Sequence, residues 1–187
     1  RILILSDRDL PEGQMAIPAL LAVSAVNRHL LRNARRTGVD IIVETGEARE
    51  VMHMALLLGY GASAINPYLA FEILVDLALR NRLSKEIGAT QALEHYIKAL
   101  CKGLLKIMSK MGISTLRSYR SAQVFEALGL DRDVVGAYFE GTASRIGGIG
   151  LDEIAREARA RYQAAREPED TAPKILASGG HYSLRKD

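Results

Sequence analysis

The sequence predicts an α/β fold built from parallel βα units, and three observations predict it. Two apolar, β-branched runs ending in polar residues, RILILSD at 1–7 and VDIIVE at 39–44, read as buried parallel strands. Each is followed by a segment with apolar residues at helical spacing. Strand and helix then alternate along the chain, which implies parallel strands joined by right-handed crossovers.

After the first strand, residues 8–15 form a loop containing Gly and Pro. Residues 17–36 read as a helix, with Pro18 in its first turn and Arg32, Arg35 and Arg36 in its last, where basic charge suits the dipole. After the strand at Val39–Glu44, Thr45 can cap a helix whose first turn holds Glu47. Val51, Ala55 and Leu58, with Met54 beside them, give that helix a core face, and Gly59 and Gly61 end it. Ala62–Asn66 is a short buried strand, and Pro67 opens a helix to Asn81 with Phe71, Leu74, Val75 and Leu79 on one face. Thr90–Met111 is a long helix ended by Gly112. Then follow a strand at Ile113–Leu116, a helix at Tyr119–Leu128 stopped by Gly129, and a short helix at Asp131–Phe139. Gly141–Gly150 reads as a loop and Leu151–Ala165 as an amphipathic helix. From Glu167 the composition turns to Pro, Asp, Gly and Ser, so residues 1–166 form the βα domain and 167–187 a linker or tail. A full barrel needs eight strands in about 250 residues. The four strands evident here make either part of a barrel-like domain or a small open sheet.

The chain of 187 residues is long enough for one domain with a proper core, and 48% hydrophobic with 25% charged residues suits a soluble globular chain. No apolar run approaches the roughly 20 residues of a membrane span. No signal peptide is evident, and the start at Arg1 without Met suggests a piece of something longer. The single Cys101 excludes an internal disulfide and any zinc or iron–sulfur site made of cysteines from this chain alone, and it fits a cytosolic protein. A net charge of +3 is small, and a pI near 9.1 permits nucleic acid without arguing for it.

Several groups could carry chemistry. His53 with Glu50 and Glu47 shares a helix face, as a ligand cluster would, but HExxH spacing is absent and Met54 and Leu58 put much of that surface in a core. The GTASRIGGIG segment at 141–150 could cradle a phosphate, although it matches neither the P-loop nor the dinucleotide pattern. Cys101 sits at a spacing with Ile97 and Leu104 that reads as core, so an inert buried thiol is expected. Arg28, Arg32, Arg35 and Arg36 lack the aromatic platform that nucleic-acid binding would use, and read as a solvated helix end. In parallel βα architectures the chemistry sits beyond the carboxyl ends of the strands. Those ends supply Ser6-Asp7, Glu44-Thr45, Asn66 and Ser114–Arg120: a polar rim without a nucleophile–base pair, a metal set or a cofactor fingerprint.

The stretch VETGEAREVMHMALLLGYGASAINPYLAFE at 43–72 resembles the central domain of the glutamate synthase large subunit. So do ILILSD at 2–7, IPALLAVSAVNRHLLR at 17–32, YIKALCKGLLKIMSKMGISTLRSYRSAQVFEALGL at 96–130 and YFEGTASRIGGIGLDEIA at 138–155. The chain departs from the family's usual histidine run at Asn27-Arg28-His29, and from its common His-His-Phe at Met52-His53-Met54. The resemblance favours a partial TIM-barrel-like half-barrel. It implies a parent enzyme that makes two glutamates reductively from glutamine and 2-oxoglutarate, an oxidoreductase acting on CH-NH2 donors. FMN, an iron–sulfur cluster and NADPH or ferredoxin would serve that enzyme, in the cytoplasm or a plastid. The segment itself is expected to be non-catalytic and to hold neither cofactor nor metal. Its implied partners are the glutaminase and FMN domains and an electron-donating subunit, with no nucleic acid and no membrane. Its implied role is to connect the two sites and help ammonia pass between them. Ser114, Ser118 and Arg120, with Thr142, Ser144 and Arg145, are the expected interface or passage residues. Two alternatives stand beside this: a free-standing half-barrel binding a phosphorylated small molecule, and an assembly module without catalysis.

Overall fold

The computed structural model describes residues 1–84 and 87–166, so the linker or tail expected at 167–187 lies outside the described residues. Among these the chain forms β1 (Ile2–Ser6), α1 (Ala19–Arg32), β2 (Asp40–Glu44), α2 (Val51–Gly59), β3 (Ala64–Asn66), α3 (Tyr68–Leu79), α4 (Ala89–Lys110), α5 (Leu116–Tyr119), β4 (Glu126–Leu130), α6 (Arg132–Tyr138), β5 (Ala143–Ile149) and α7 (Leu151–Ala164). A 3-10 turn at Arg36–Gly38 links α1 to β2. All strand pairs are parallel, in two small sheets ordered β1-β2-β3 and β4-β5, without a closed barrel. This is the partial barrel-like α/β domain that the sequence predicts.

Residues paired across parallel strands share a face. Leu5, Ile41, Val43 and Ile65 therefore lie together and meet Val23 of α1 and Met54 and Leu57 of α2 in the main core. The opposite face carries Ile2, Ile4, Ile42 and Ala64, and there Ile2 is 67% exposed and Ile4 61%. Among the described residues the first sheet is covered by helices on one side and bare on the other. A second core joins Leu58, Met108 and Tyr119, and a third forms around Val134, Val135 and Phe139 under β4 and α7. Gly103 sets how closely α4 crosses α2, since a Cβ there would lie 2.5 Å from a Val51 methyl.

The structure corrects the reading after α4. Residues 113–115 form no strand; Thr115 instead caps α5, its hydroxyl accepting from the Ser118 N–H at 3.3 Å. The helix expected at Tyr119–Leu128 is cut short because Ser121 and Gln123 adopt left-handed dihedrals, φ 59° and 56°. The chain re-forms as β4. The expected loop at 141–150 is mostly β5, whose glycines tolerate the bulged register against β4. At Gly148 the carbonyl of Gly129 comes so close that no Cβ would fit. Two helix starts also move. Pro18 caps α1 rather than lying inside it, and α2 begins at Val51 because Thr45 is held in the turn after β2. Cys101 is exposed: α4 turns Ala92, Leu100, Leu104 and Met108 inward, leaving Ile97, Cys101 and Leu105 outside. Leu79 of α3, expected on a core face, is 74% exposed.

Candidate functional site

Two ends of the first sheet carry polar groups. At the carboxyl end, the Ser6 hydroxyl donates to Glu44 Oε2 at 2.7 Å and the Asn66 amide donates to Glu44 Oε1 at 3.1 Å. Arg8 lies 3.8 Å from Glu44 and donates to Glu72 at 2.7 Å. Thr45, 1% exposed, donates to Asp7 Oδ2 at 2.5 Å, and the Gly46 N–H donates to Asp7 Oδ1 at 3.0 Å. Burial raises the Tyr68 phenol to about 12, with the adjacent Asp7 carboxylate adding to the shift. The Arg8 guanidinium lies 5.0 Å over the Tyr68 ring. Each carboxylate of this rim already accepts from neighbours in the same chain. Among the described residues no nucleophile is poised against a free base there, and the rim's bonds fix the loops after β1 and β2.

The amino end differs. Arg36 ties three elements together: Nε donates to Asn27 Oδ1 at 2.6 Å, Nη2 to the Gly61 carbonyl at 2.7 Å, and Nη1 to the Val39 carbonyl. Gly61 is needed here, because its φ is +124° and a Cβ would run into the Asn27 side chain. The segment after α5 is fixed to the end of α2 by the Ser121 N–H donating to the Gly59 carbonyl at 2.8 Å. Between these parts lies a cavity of about 120 Å³, lined in part by Ser24, Asn27, Tyr60, Tyr119, Gln123 and Thr142. The hydroxyls of Tyr60 and Thr142 are 2.8 Å apart and bonded. Tyr119 is fully buried, yet its phenol oxygen has no partner among the described residues, and burial raises its pKa. Phe125 stacks on Tyr60 with ring centroids 5.8 Å apart. Arg28 and Glu140 form an ion pair in the same wall. Beside the cavity is an open notch of about 390 Å³ lined by Arg36, Arg117 and Arg120, and the two hollows share Asn27, Leu31 and Ser121.

The residues singled out from sequence divide accordingly. The structure gathers Ser6, Asp7, Glu44, Thr45 and Asn66 into one rim, as expected. Ser114–Arg120 does not join them, because that segment packs against the last turn of α2, which leads into the start of β3. Thr142 lines the cavity and Arg120 the notch. Ser114 and Ser118 are exposed, and the Ser118 hydroxyl accepts from Thr115 at 2.9 Å. The Ser144 hydroxyl is buried without a partner among the described residues, and Arg145 is exposed, 3.6 Å from Glu126. His53, Glu50 and Glu47 do not converge. His53 Nε2 lies 3.3 Å from Glu50, its Nδ1 accepts from the Arg49 N–H, and Glu47 turns away to accept from the Ala19 N–H at 2.8 Å. No group of three His, Cys, Asp or Glu that could hold a metal occurs among the described residues. With Cys101 alone on the α4 surface, the described residues do not fit an iron–sulfur cluster. The backbone of 143–149, proposed as a phosphate cradle, pairs with β4 instead. The sequence reading missed Ser24, Asn27 and Tyr119. A signal for the first two was present: polar residues three apart on the inward stripe of α1, where only satisfied polar groups are tolerated.

The sequence matches the family described as "Glutamate synthase central domain" over residues 1–131. The chain belongs to this family. It is 50% identical over 184 residues to the "Glutamate synthase [NADPH] large chain" of Bacillus subtilis, covering 98% of this chain and 12% of that protein. It is 43% identical to the "Glutamate synthase [NADH]" of Saccharomyces cerevisiae, covering 99% of this chain and 9% of that protein. The "Ferredoxin-dependent glutamate synthase, chloroplastic" of Spinacia oleracea is 44% identical over 98% of this chain and 12% of its own length. This glutamate synthase central domain thus spans about a tenth of the length of the relatives it matches. Among its described residues no helix is long and apolar enough to cross a membrane.

Proposed function

We propose that this domain connects the glutaminase and FMN parts of a glutamate synthase, and that the cavity between α1, α2 and the segment after α5 forms part of the path for ammonia between them. The whole enzyme would convert glutamine and 2-oxoglutarate reductively into two glutamates, with NADPH, NADH or ferredoxin as electron donor, the donors named for its relatives. This segment would perform no step of that chemistry itself. The observation that carries the reading is the buried, unpartnered Tyr119 phenol in a wall shared with Ser24, Asn27 and Thr142. A path for a small neutral molecule needs fixed hydroxyls and amides to exchange hydrogen bonds with it, and the charged pair in this wall, Arg28 with Glu140, is neutralised within itself. The bare face of the first sheet supports the connecting role, since an apolar sheet face is normally covered by a neighbour.

Ser114, Ser118 and Arg145, exposed on the same half of the chain, would meet the neighbouring domains, while Arg120, Thr142 and Ser144 would act nearer the path. In the intact enzyme, Thr142→Val and Arg120→Gln should raise glutamine hydrolysed per glutamate formed, whereas Ser118→Ala should change it least. A ratio unchanged in all three variants refutes the passage.

A further inference from the structure

We propose that the notch formed by Arg36, Arg117 and Arg120 is a binding site for a small oxyanion, a phosphate or a carboxylate. Six arginines elsewhere in the domain, of which only Arg28 is half-buried, have a carboxylate within 4 Å. Arg8 meets Glu44 and Glu72, and Arg28 and Arg32 meet Glu140. Arg80, Arg145 and Arg156 each have a carboxylate within 4 Å. None of the three notch arginines forms a salt bridge among the described residues. Asp40 is the one carboxylate on the wall; it accepts from the Ser63 hydroxyl at 2.8 Å and acts on Arg36 only from farther away. Three guanidiniums against one carboxylate leave the notch with two positive charges in excess.

The geometry makes that excess usable. Arg36 spends one N–H of each guanidinium nitrogen on Asn27, Val39 and Gly61, which fixes its plane and leaves two N–H groups to donate. Arg120 has a buried Nε with no partner among the described residues. Burial lowers the Arg36 pKa and the nearby Arg120 charge lowers it further, so the two guanidiniums feel each other across the notch. Like charges held together at a partly dry site are costly, and an anion between them turns that cost into attraction. Planar, forked donors match carboxylate and phosphate oxygens two at a time. The inference stands apart from the ammonia path: it uses the charged mouth, and it survives if the cavity behind proves closed.

The test is isothermal titration of the full-length holoenzyme with inorganic phosphate and, separately, with succinate. Arg117→Gln, Arg120→Gln and Arg120→Lys are compared with the parent protein, and far-ultraviolet circular dichroism checks that each variant is folded. One or both anions should bind saturably to the parent. Affinity should fall roughly tenfold or more in each Gln variant, as expected for losing a charge-assisted hydrogen bond. Arg120→Lys should fall between, because it keeps the charge and loses the fork. Phosphate binding alone, or succinate binding alone, identifies the chemistry the notch prefers. Binding of neither anion, or binding equal in the parent and both Gln variants, overturns the site; the first result would fit a notch already filled by an acidic side chain of a neighbouring domain.

Discussion

The two ends of the first sheet use similar residue types to opposite effect. At the carboxyl end, Asp7, Glu44 and Glu72 face Ser6, Arg8, Thr45 and Asn66, and these groups partner one another. At the amino end, Arg120 and Tyr119 keep buried donors without a partner among the described residues, and three arginines share one wall. Buried polar groups are normally satisfied, so a saturated end reads as architecture and an unsatisfied end reads as a place awaiting something from outside. The proposed path and anion notch therefore lie opposite the end where βα domains usually place their chemistry. Position within a fold class carries less information here than hydrogen-bond accounting does.

Substitutions can break or sharpen that contrast. The largest effect should come from Gly61→Val, which places a β-branched side chain at φ +124° and against the Asn27 held by Arg36. It should destabilise the chain by on the order of 3 kcal/mol in urea denaturation; a loss below about 1 kcal/mol would show that the Asn27–Arg36 tie is loose. At the saturated end, Thr45→Val removes the hydroxyl that donates to Asp7 and accepts from Glu47, and should cost about 1–3 kcal/mol. At the unsatisfied end, Tyr119→Phe deletes a hydroxyl with no partner among the described residues, and its effect in the same assay should be near zero or slightly stabilising. Equal costs for the last two would erase the distinction between the ends.

The rim also predicts a pH response. The Tyr68 phenol is raised from 10.0 to about 12 in the folded chain. A raised value means that the folded state holds its proton more tightly, so this contribution is fully present below pH 10 and is lost as pH climbs toward 12. A melting-temperature series should fall more steeply over that window for the parent than for Tyr68→Phe; parallel curves would contradict the shift.

The α/β class, the parallel pairing, β1 to β3 and the carboxyl-end rim were legible because apolar runs of period-independent, β-branched residues have few other solutions. The segment from Ile113 to Ile149 was not. Its apolar and glycine-containing stretches satisfy more than one period, and the outcome was decided by left-handed dihedrals at Ser121 and Gln123 and by the contact of Gly148 with Gly129. Thr142 and Arg120 were singled out as loop and strand-end residues, and the structure places them on adjoining hollows. Tyr119 could not be found at all, since a tyrosine in YRSAQ announces neither its burial nor its missing partner. Cys101 was misjudged by one step around a helix: Ile97, Cys101 and Leu105 make an apolar stripe as regular as the one that is buried.

The bare side of the first sheet has a consequence for how such a chain comes into being. Ile2 and Ile4 begin the chain's first strand, yet nothing among the described residues shelters them. That strand can dock its Leu5 side onto α1 and α2, but its other side stays open until another part of the protein covers it. Produced by itself, the segment should be adhesive, recruiting copies or chaperones through that side, and its good behaviour in a cell would depend on the order in which its neighbours fold.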